Sequence, residues 1–218
     1  MITTLKIDFV SDVSCPWCAV GLASLLEAAG QVRDAVALDL RFHPFELNPQ
    51  LGADGQDVAE HLMHKYGMGP EQLAQNQEAI RARGAELGFT FNMGGRRIYN
   101  TFDAHRLLHW AGEQGTAQQL ALKRALFAAY FTDGRNPSDA GTLVQLAQSA
   151  GLDADEARDI LAGDRYADAV RSEEAFYQQQ GITAVPAVIV NEQYLISGGQ
   201  PPEVFARALR QIAGGDAG

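Results

Sequence analysis

The chain has two cysteines, and both fall in one short stretch, Ser14-Cys15-Pro16-Trp17-Cys18. Two thiols at this spacing can close to a disulfide and reopen. Cys-x-x-Cys between a strand and a helix is the setting of such redox chemistry. The flanks supply that setting. Leu5-Lys6-Ile7-Asp8-Phe9-Val10 leads in as an alternating apolar run, and Leu22, Leu25, Leu26 and Ala29 lead out at helical spacing. Cys15 falls at the expected N-cap and Pro16 at the first helical position, where its missing N–H is no loss. Free N–H groups and the positive end of the helix dipole then face the Cys15 sulfur and favour thiolate over thiol. Cys15 is therefore the expected nucleophile. Cys18, three residues on along the same helix face, is the expected resolving thiol. The plainer alternatives are two unreactive thiols or half of a zinc site. Structural zinc takes four ligands, and five histidines are present to complete a set.

Length and composition bound what such a dithiol can serve. A chain of 218 residues is one domain, or one domain with a large insertion. At 46% hydrophobic residues it is a globular protein. A formal net charge of −10 argues against a nucleic-acid partner or an anionic membrane surface. No apolar run approaches the ~20 residues that span a bilayer. Met1-Ile2-Thr3-Thr4 runs straight into the first expected strand without the regions of a signal peptide. The expected location is the cytoplasm, where paired cysteines point to catalysis or metal binding rather than to a structural disulfide.

Residues 36–43 alternate as a second strand, so the first part of the chain reads as a right-handed βαβ unit. Phe42 to Pro49 breaks that strand, and a turn follows at Ala53-Asp54-Gly55. From about 57 to 180 the pattern is helical. Asp57 with Glu60, Thr116 with Gln119, and Asp153 with Glu156 have capping-box spacing. Pro70 opens a helix reaching about Leu87, interrupted at Gly84. Leu122, Leu126 and Tyr130 mark another helix face, as do Leu143, Leu146, Ala147 and Ala150 before Gly151. Gly94-Gly95, Asp133-Gly134 and Asn136-Pro137 are turns.

Strands return at Ala187 to Val190 and Gln193 to Ile196, joined by Asn191-Glu192 as an antiparallel hairpin. Gly198-Gly199 turns the chain, and Pro201-Pro202 opens a last helix with Val204, Phe205, Ala208, Leu209 and Ile212 inward. Gly214 to Gly218 is expected to fray. Neither end alone has enough strands for a stable sheet, so the two ends must share one. The expected class is α/β, with a discontinuous domain of residues 1–50 and 175–218 and an inserted helical domain of residues 51–174.

Four stretches carry a family resemblance: Asp12 to Cys18 with Gly21, His43 to Pro49, Asn100 to Leu107, and Val185-Pro186 with Ser197 to Phe205. In these the chain resembles the DsbA-like thioredoxin-fold oxidoreductases, within them the FrnE-like group. The resemblance implies a thioredoxin fold interrupted by a helical domain. It implies a cis Val185-Pro186 bond, with Pro186 facing the dithiol and Val185 offering its N–H and C=O to an extended substrate, as a strand edge would. One departure stands out. Such enzymes often carry a buried acid six residues before the first cysteine, and here that residue is Phe9. Asp8 falls on the opposite face, which leaves water or Asp12 for the Cys18 proton. Kappa-class glutathione transferases and 2-hydroxychromene-2-carboxylate isomerases are similar in fold. They use a serine to activate glutathione and lack the second thiol. Asn48, Val185 and Ser197-Gly198-Gly199 match places where those relatives hold glutathione.

Other residues admit two roles each. His43 stands at the end of the second strand, either as a partner of the Cys15 thiolate or as a histidine bonded to backbone. His61 and His64 share a helix face without a placed third ligand, and read as solvated. His105 and His109 read as helix or domain contacts. Trp17 is expected to be exposed beside Cys15. Met63, Met68, Phe89, Phe91 and Tyr99 serve a peptide groove or the core equally well.

The expected function is thiol–disulfide oxidoreductase or isomerase. Cys15, Cys18 and Pro186 are its catalytic residues, and Pro16, Trp17, Val185, His43, Asn48, Gly198 and Gly199 contact substrate. No metal and no tightly bound cofactor are expected. The expected partners are thiol- or disulfide-containing proteins or peptides, with glutathione as a redox partner. The alternatives are a glutathione-dependent isomerase or transferase and a zinc-stabilised binding module. Neither the direction of electron flow nor the oligomeric state follows from the sequence.

Overall fold

The computed structural model describes residues 2–52 and 54–215. Met1, Ala53 of the expected turn, and residues 216–218 of the expected frayed end lie outside them. The strands are β1 (Thr3–Ser11), β2 (Val36–Pro44), β3 (Gln56–Asp57), β4 (Arg97–Ile98), β5 (Ala187–Val190) and β6 (Tyr194–Ser197). The helices are α1 (Pro16–Gln31), α2 (Val58–Tyr66), α3 (Pro70–Glu86), α4 (Phe102–Gln114), α5 (Thr116–Phe127), α6 (Ala140–Ser149), α7 (Ala154–Ala162), α8 (Ala167–Gln179) and α9 (Pro202–Gly214). None of them is long and apolar enough to cross a membrane.

The main sheet has the order β2-β1-β5-β6 and so joins the two ends of the sequence. β1 and β2 are parallel, with α1 as their crossover, while β5 is antiparallel to β1 and β6 to β5. The hairpin between β5 and β6 turns on Asn191 and Glu192, both at positive φ (51° and 60°). That is the turn whose twist matches paired strands. Asn191 also continues the pairing: Lys6 N donates to its Oδ1 and its own N donates to Lys6 O, at 3.0 and 2.9 Å.

Alternation assigns the two faces of the sheet. Leu5, Ile7 and Phe9 of β1 pack with Phe42, Val188 and Val190 against Leu22 and Leu25 of α1 and Phe205 and Leu209 of α9. Val10 and Ala187 look the other way, onto Tyr177 of α8 and Ile182. A separate apolar cluster joins the intervening helices through Leu107, Leu122, Leu126, Leu143 and Ile160.

Two of the expected capping boxes place their N-caps. Asp57 and Asp153 accept from the N–H groups of Glu60 and Glu156 at 3.0 and 2.8 Å. The third does not, because Gly115 is the N-cap of α5 and the Gln119 side chain is used elsewhere. Its Oε1 accepts from Phe42 N at 3.0 Å. Its Nε2 donates to the carbonyls of Phe42 and Leu108 at 3.0 and 3.1 Å. A side-chain amide thus pairs with the free edge of β2 as another strand would. β3 and β4, two residues each, are too short for alternation to reveal. Gly84 is required rather than disruptive: a Cβ there would meet the Phe91 ring at 2.4 Å.

Gln119→Leu keeps the volume and removes all three bonds, leaving the buried N–H and carbonyl of Phe42 without partners. The expected loss is about 2–3 kcal/mol of stability, read from denaturant unfolding. A loss below 0.5 kcal/mol would show that the β2 edge does not need this cap.

Candidate active site

Cys15 adopts an extended conformation (φ −89°, ψ 113°) as the N-cap of α1, with Pro16 behind it at the first helical position. Its carbonyl accepts from the N–H groups of Cys18 and Ala19 at 3.1 and 3.3 Å, and its own N donates to Asp12 O at 3.2 Å. Both cysteines are free thiols. Cys15 keeps 5% of its surface and Cys18 none, so only Cys15 meets an incoming molecule in this arrangement. Burial pushes the Cys18 thiol well above its ordinary value, and the Cys15 sulfur beside it adds to the rise. The nearby charge of Lys123 acts in the opposite direction.

The segment facing the dithiol is built by close backbone approach. The Val185–Pro186 bond is cis. The Cys15 Sγ points at the Val185 carbonyl oxygen, 3.8 Å away, and Gly198 N donates to Pro186 O at 2.8 Å. A Cβ on Gly21 would lie 3.0 Å from Pro186 Cγ, and one on Gly199 would lie 2.9 Å from the Trp17 carbonyl oxygen. Glycine at these two positions lets α1, Pro186 and the turn after β6 touch. The same contact corrects the expectation for Trp17, which is half-buried against the core with its ring on Gly199.

Asp12 is buried and fully engaged. Its Oδ1 accepts from Ser14 N and Thr101 Oγ1 at 3.0 and 2.8 Å, and its Oδ2 from Leu47 N at 2.7 Å. His105 Nε2 stands 3.7 Å from Oδ1, at ion-pair rather than hydrogen-bond range. Burial alone would raise this carboxyl. His105 and the backbone donors outweigh it and hold the group below its ordinary value. Asp12 is therefore a fixed anion that ties loops together, with two donors on Oδ1 and one on Oδ2.

His43 does not stand beside the thiolate. It lies on the other face of the sheet, with Nε2 3.0 Å from Asp8 and Nδ1 3.4 Å from Glu173, and its ring packs on Tyr177. Asn48 turns toward α2: its Oδ1 is 2.7 Å from Lys65 Nζ and 2.9 Å from His61 Nε2. His61 is thus buried rather than solvated, while His64 is exposed. His109 meets Glu173 at 3.3 Å, a contact between α4 and α8. Among the described residues no group of three or more His, Cys, Asp or Glu side chains is placed to hold a metal ion.

One residue of the site went unnoticed in the sequence. Lys123 of α5 is fully buried, with its Nζ over the rings of Phe127 and Phe42 at 5.0 and 5.9 Å. The signal was available. Gln119, Leu122, Lys123, Leu126 and Phe127 form the buried stripe of α5, with the lysine at an i+4 position.

A family model described as a DSBA-like thioredoxin domain matches residues 6–210. The chain belongs to the DSBA-like thioredoxin family. Its structure superposes on that of a probable DsbA oxidoreductase from Streptomyces coelicolor with a TM-score of 0.88 and 39% identity, over 98% of this chain and 92% of the other. It shares its fold with a 2-hydroxychromene-2-carboxylate isomerase (TM-score 0.70, 14% identity, 97% and 98% covered). It also shares it with a cytosolic disulfide reductase from Pseudomonas aeruginosa solved with GSH (TM-score 0.65, 18% identity, 95% and 98% covered). Phe9, six residues before Cys15, is fully buried in the core.

Two predictions follow from these charges. Asp12→Ala strands Ser14 N, Leu47 N and the Thr101 hydroxyl, and should cost about 3 kcal/mol in denaturant unfolding. An unchanged unfolding midpoint would refute the anchoring role. The second concerns the His43 cluster. Burial lowers His43, but Asp8 and Glu173 raise it net above 6.5, so its contribution is full below that value and fades as pH rises through the raised one. Burial raises Glu173, but His109 and His43 bring it down to about 2, so its contribution is present above 4.5 and is lost toward pH 2. Both act together between 4.5 and 6.5. Glu173→Gln should therefore destabilise most near pH 5.5 and progressively less as pH rises above 6.5 through the raised values of His43 and His109. A pH-independent difference between variant and parent would contradict the ion pairing.

Proposed function

We propose that this chain is a thiol–disulfide oxidoreductase acting through Cys15 and Cys18. The observation that carries this is the placement of two free thiols, three residues apart at the start of α1, with Cys15 facing the carbonyl of Val185 before the cis Pro186. Cys15 attacks a substrate disulfide, forming a mixed disulfide and releasing one substrate thiolate. Cys18 then attacks Cys15, closes the Cys15–Cys18 disulfide and releases the second thiolate. In the other direction a substrate thiolate opens that disulfide at Cys15, and Cys18 leaves.

Substrate contact is assigned to Pro16, Trp17, Val185, Gly198 and Gly199, which surround the one thiol with surface. Val185 offers a strand edge to an extended peptide or to glutathione. Asn48 joins this set through its amide nitrogen, its oxygen being held by α2. Pro186 shapes the surface opposite the dithiol. The substrates are disulfide- or thiol-bearing peptides, with glutathione as redox partner in the cytoplasm. The second thiol favours exchange over a glutathione-dependent isomerase or transferase, a reaction that would survive loss of Cys18.

The test is a glutathione redox titration followed by thiol-trapping mass shift. The parent should show one reversible intramolecular disulfide, Cys15→Ser should lose exchange to background, and Cys18→Ser should accumulate a mixed disulfide. A midpoint of roughly −270 mV marks a reductase and one nearer −120 mV an oxidant. Full exchange by Cys15→Ser would defeat the assignment. Glutathione turnover retained by Cys18→Ser would favour the isomerase or transferase.

A further inference from the structure

The turn that holds the nucleophile also holds an anion. Cys15 N donates to Asp12 O at 3.2 Å, and Ser14 N donates to Asp12 Oδ1 at 3.0 Å. One buried aspartate thus binds two successive N–H groups, the second of them that of Cys15. This fixes the sulfur, but it sets a carboxylate in the same turn as a group that must itself become an anion. A like charge so close disfavours ionisation. The hydrogen-bond donors to the carboxylate are neutral: the N–H groups of Ser14 and Leu47 and the Thr101 hydroxyl. They bind the charge without cancelling it.

Among the described residues, the basic side chain at ion-pair distance from Asp12 is His105, whose Nε2 lies 3.7 Å from Oδ1. Both side chains are buried, and this Nε2 has no hydrogen-bond partner. The approach is built by α4. Thr101, its N-cap, reaches Oδ1 through the hydroxyl at 2.8 Å, and His105 follows one turn later with its N–H on Thr101 O at 3.1 Å. The contact also fixes the tautomer. A bare lone pair on Nε2 would face a carboxylate oxygen in a buried site, so this nitrogen carries its hydrogen toward Oδ1. The other charged group bearing on the imidazole is Glu174 of α8, which is itself paired with Arg171 at 2.7 Å.

We infer that His105 is a positioning residue for Cys15: its Nε2–H holds the Asp12 carboxylate and offsets that charge where the nucleophilic sulfur must become an anion. This rests on the reading of Cys15 as the nucleophile. A protonated ring contributes a full positive charge and a neutral ring its N–H dipole, and both act with the same sign. The carboxylate can then anchor the turn while the free N–H groups at the start of α1 favour the thiolate.

The experiment follows alkylation of the reduced protein by iodoacetamide from pH 5 to 10, with the modified cysteine identified by peptide mass. The thiolate displaces iodide, so the rate follows the thiolate fraction and its ceiling follows access to the sulfur. His105→Phe keeps a ring and loses the N–H, while His105→Gln restores an amide N–H in its place. His105→Phe should alkylate Cys15 about tenfold more slowly than the parent at pH 7 and reach the same ceiling, with its curve displaced upward by about one pH unit. His105→Gln should recover most of the parent's rate. A His105→Phe curve that superimposes on the parent's overturns the inference. A curve lowered by one factor at every pH does the same, since that is a displaced sulfur, as does a His105→Gln no faster than His105→Phe.

A second measurement leaves His105 in place. In histidine-labelled protein the His105 imidazole signal, assigned by its absence from His105→Gln, is followed through a pH titration in the reduced parent and in Cys15→Ser. Coupling between two sites is reciprocal, so the imidazolium form should persist to higher pH in the parent, where the sulfur can carry the negative charge. Identical His105 signals in the two proteins overturn the inference. A parent that forms no Cys15–Cys18 disulfide with glutathione defeats the oxidoreductase reading, whereas the alkylation curves answer for His105 in either case.

Discussion

The site depends on one buried negative charge. Asp12 sits at the end of β1, where the chain leaves the sheet to enter α1, and accepts from Ser14 of its own loop, Leu47 after β2 and Thr101 at the start of α4. A carboxylate taken out of water is unfavourable by several kcal/mol unless donors replace the lost hydration. Each donor is therefore needed, and each comes from a different segment. The backbone of the same residue accepts from Cys15 N. The anion that joins the sheet to the helices also sets where the nucleophile stands.

A second constraint acts at shorter range. Gly21 of α1 and Gly199 after β6 leave no room for a methyl group toward Pro186 and Trp17. Atoms this close transmit displacement directly, since protein interiors are packed like crystals. The start of α1 and the Val185-Pro186 segment are thus held in direct contact by the absence of side chains at Gly21 and Gly199.

Much of this was legible in the sequence, for identifiable reasons. The dithiol helix, the βαβ unit, the late hairpin and the last helix all follow from periodicity, from proline at a helix start and from a turn of two residues. What stayed hidden was tertiary. Gln119 has capping-box spacing, and only the fold shows that β2 lies within its reach. His43 stands at a strand end near the dithiol in sequence, but the period of two places it on the far face beside Asp8 and Glu173. Trp17 was expected in solvent because it lies between the cysteines, and it packs on Gly199 instead. Sequence spacing predicts which residues share a face of one element. It does not predict which face of another element will cover them.

The inserted helices are more than a cover for the sheet, and α5 shows why. One buried stripe carries Gln119 and, one turn later, Lys123. The first seals the edge of β2, which fixes the register of α5 against the sheet through three hydrogen bonds. With that register set, the second must fall behind Phe42, whose backbone Gln119 holds and whose ring Lys123 faces. Strand edge, aromatic ring and cation form one continuous chain of contacts.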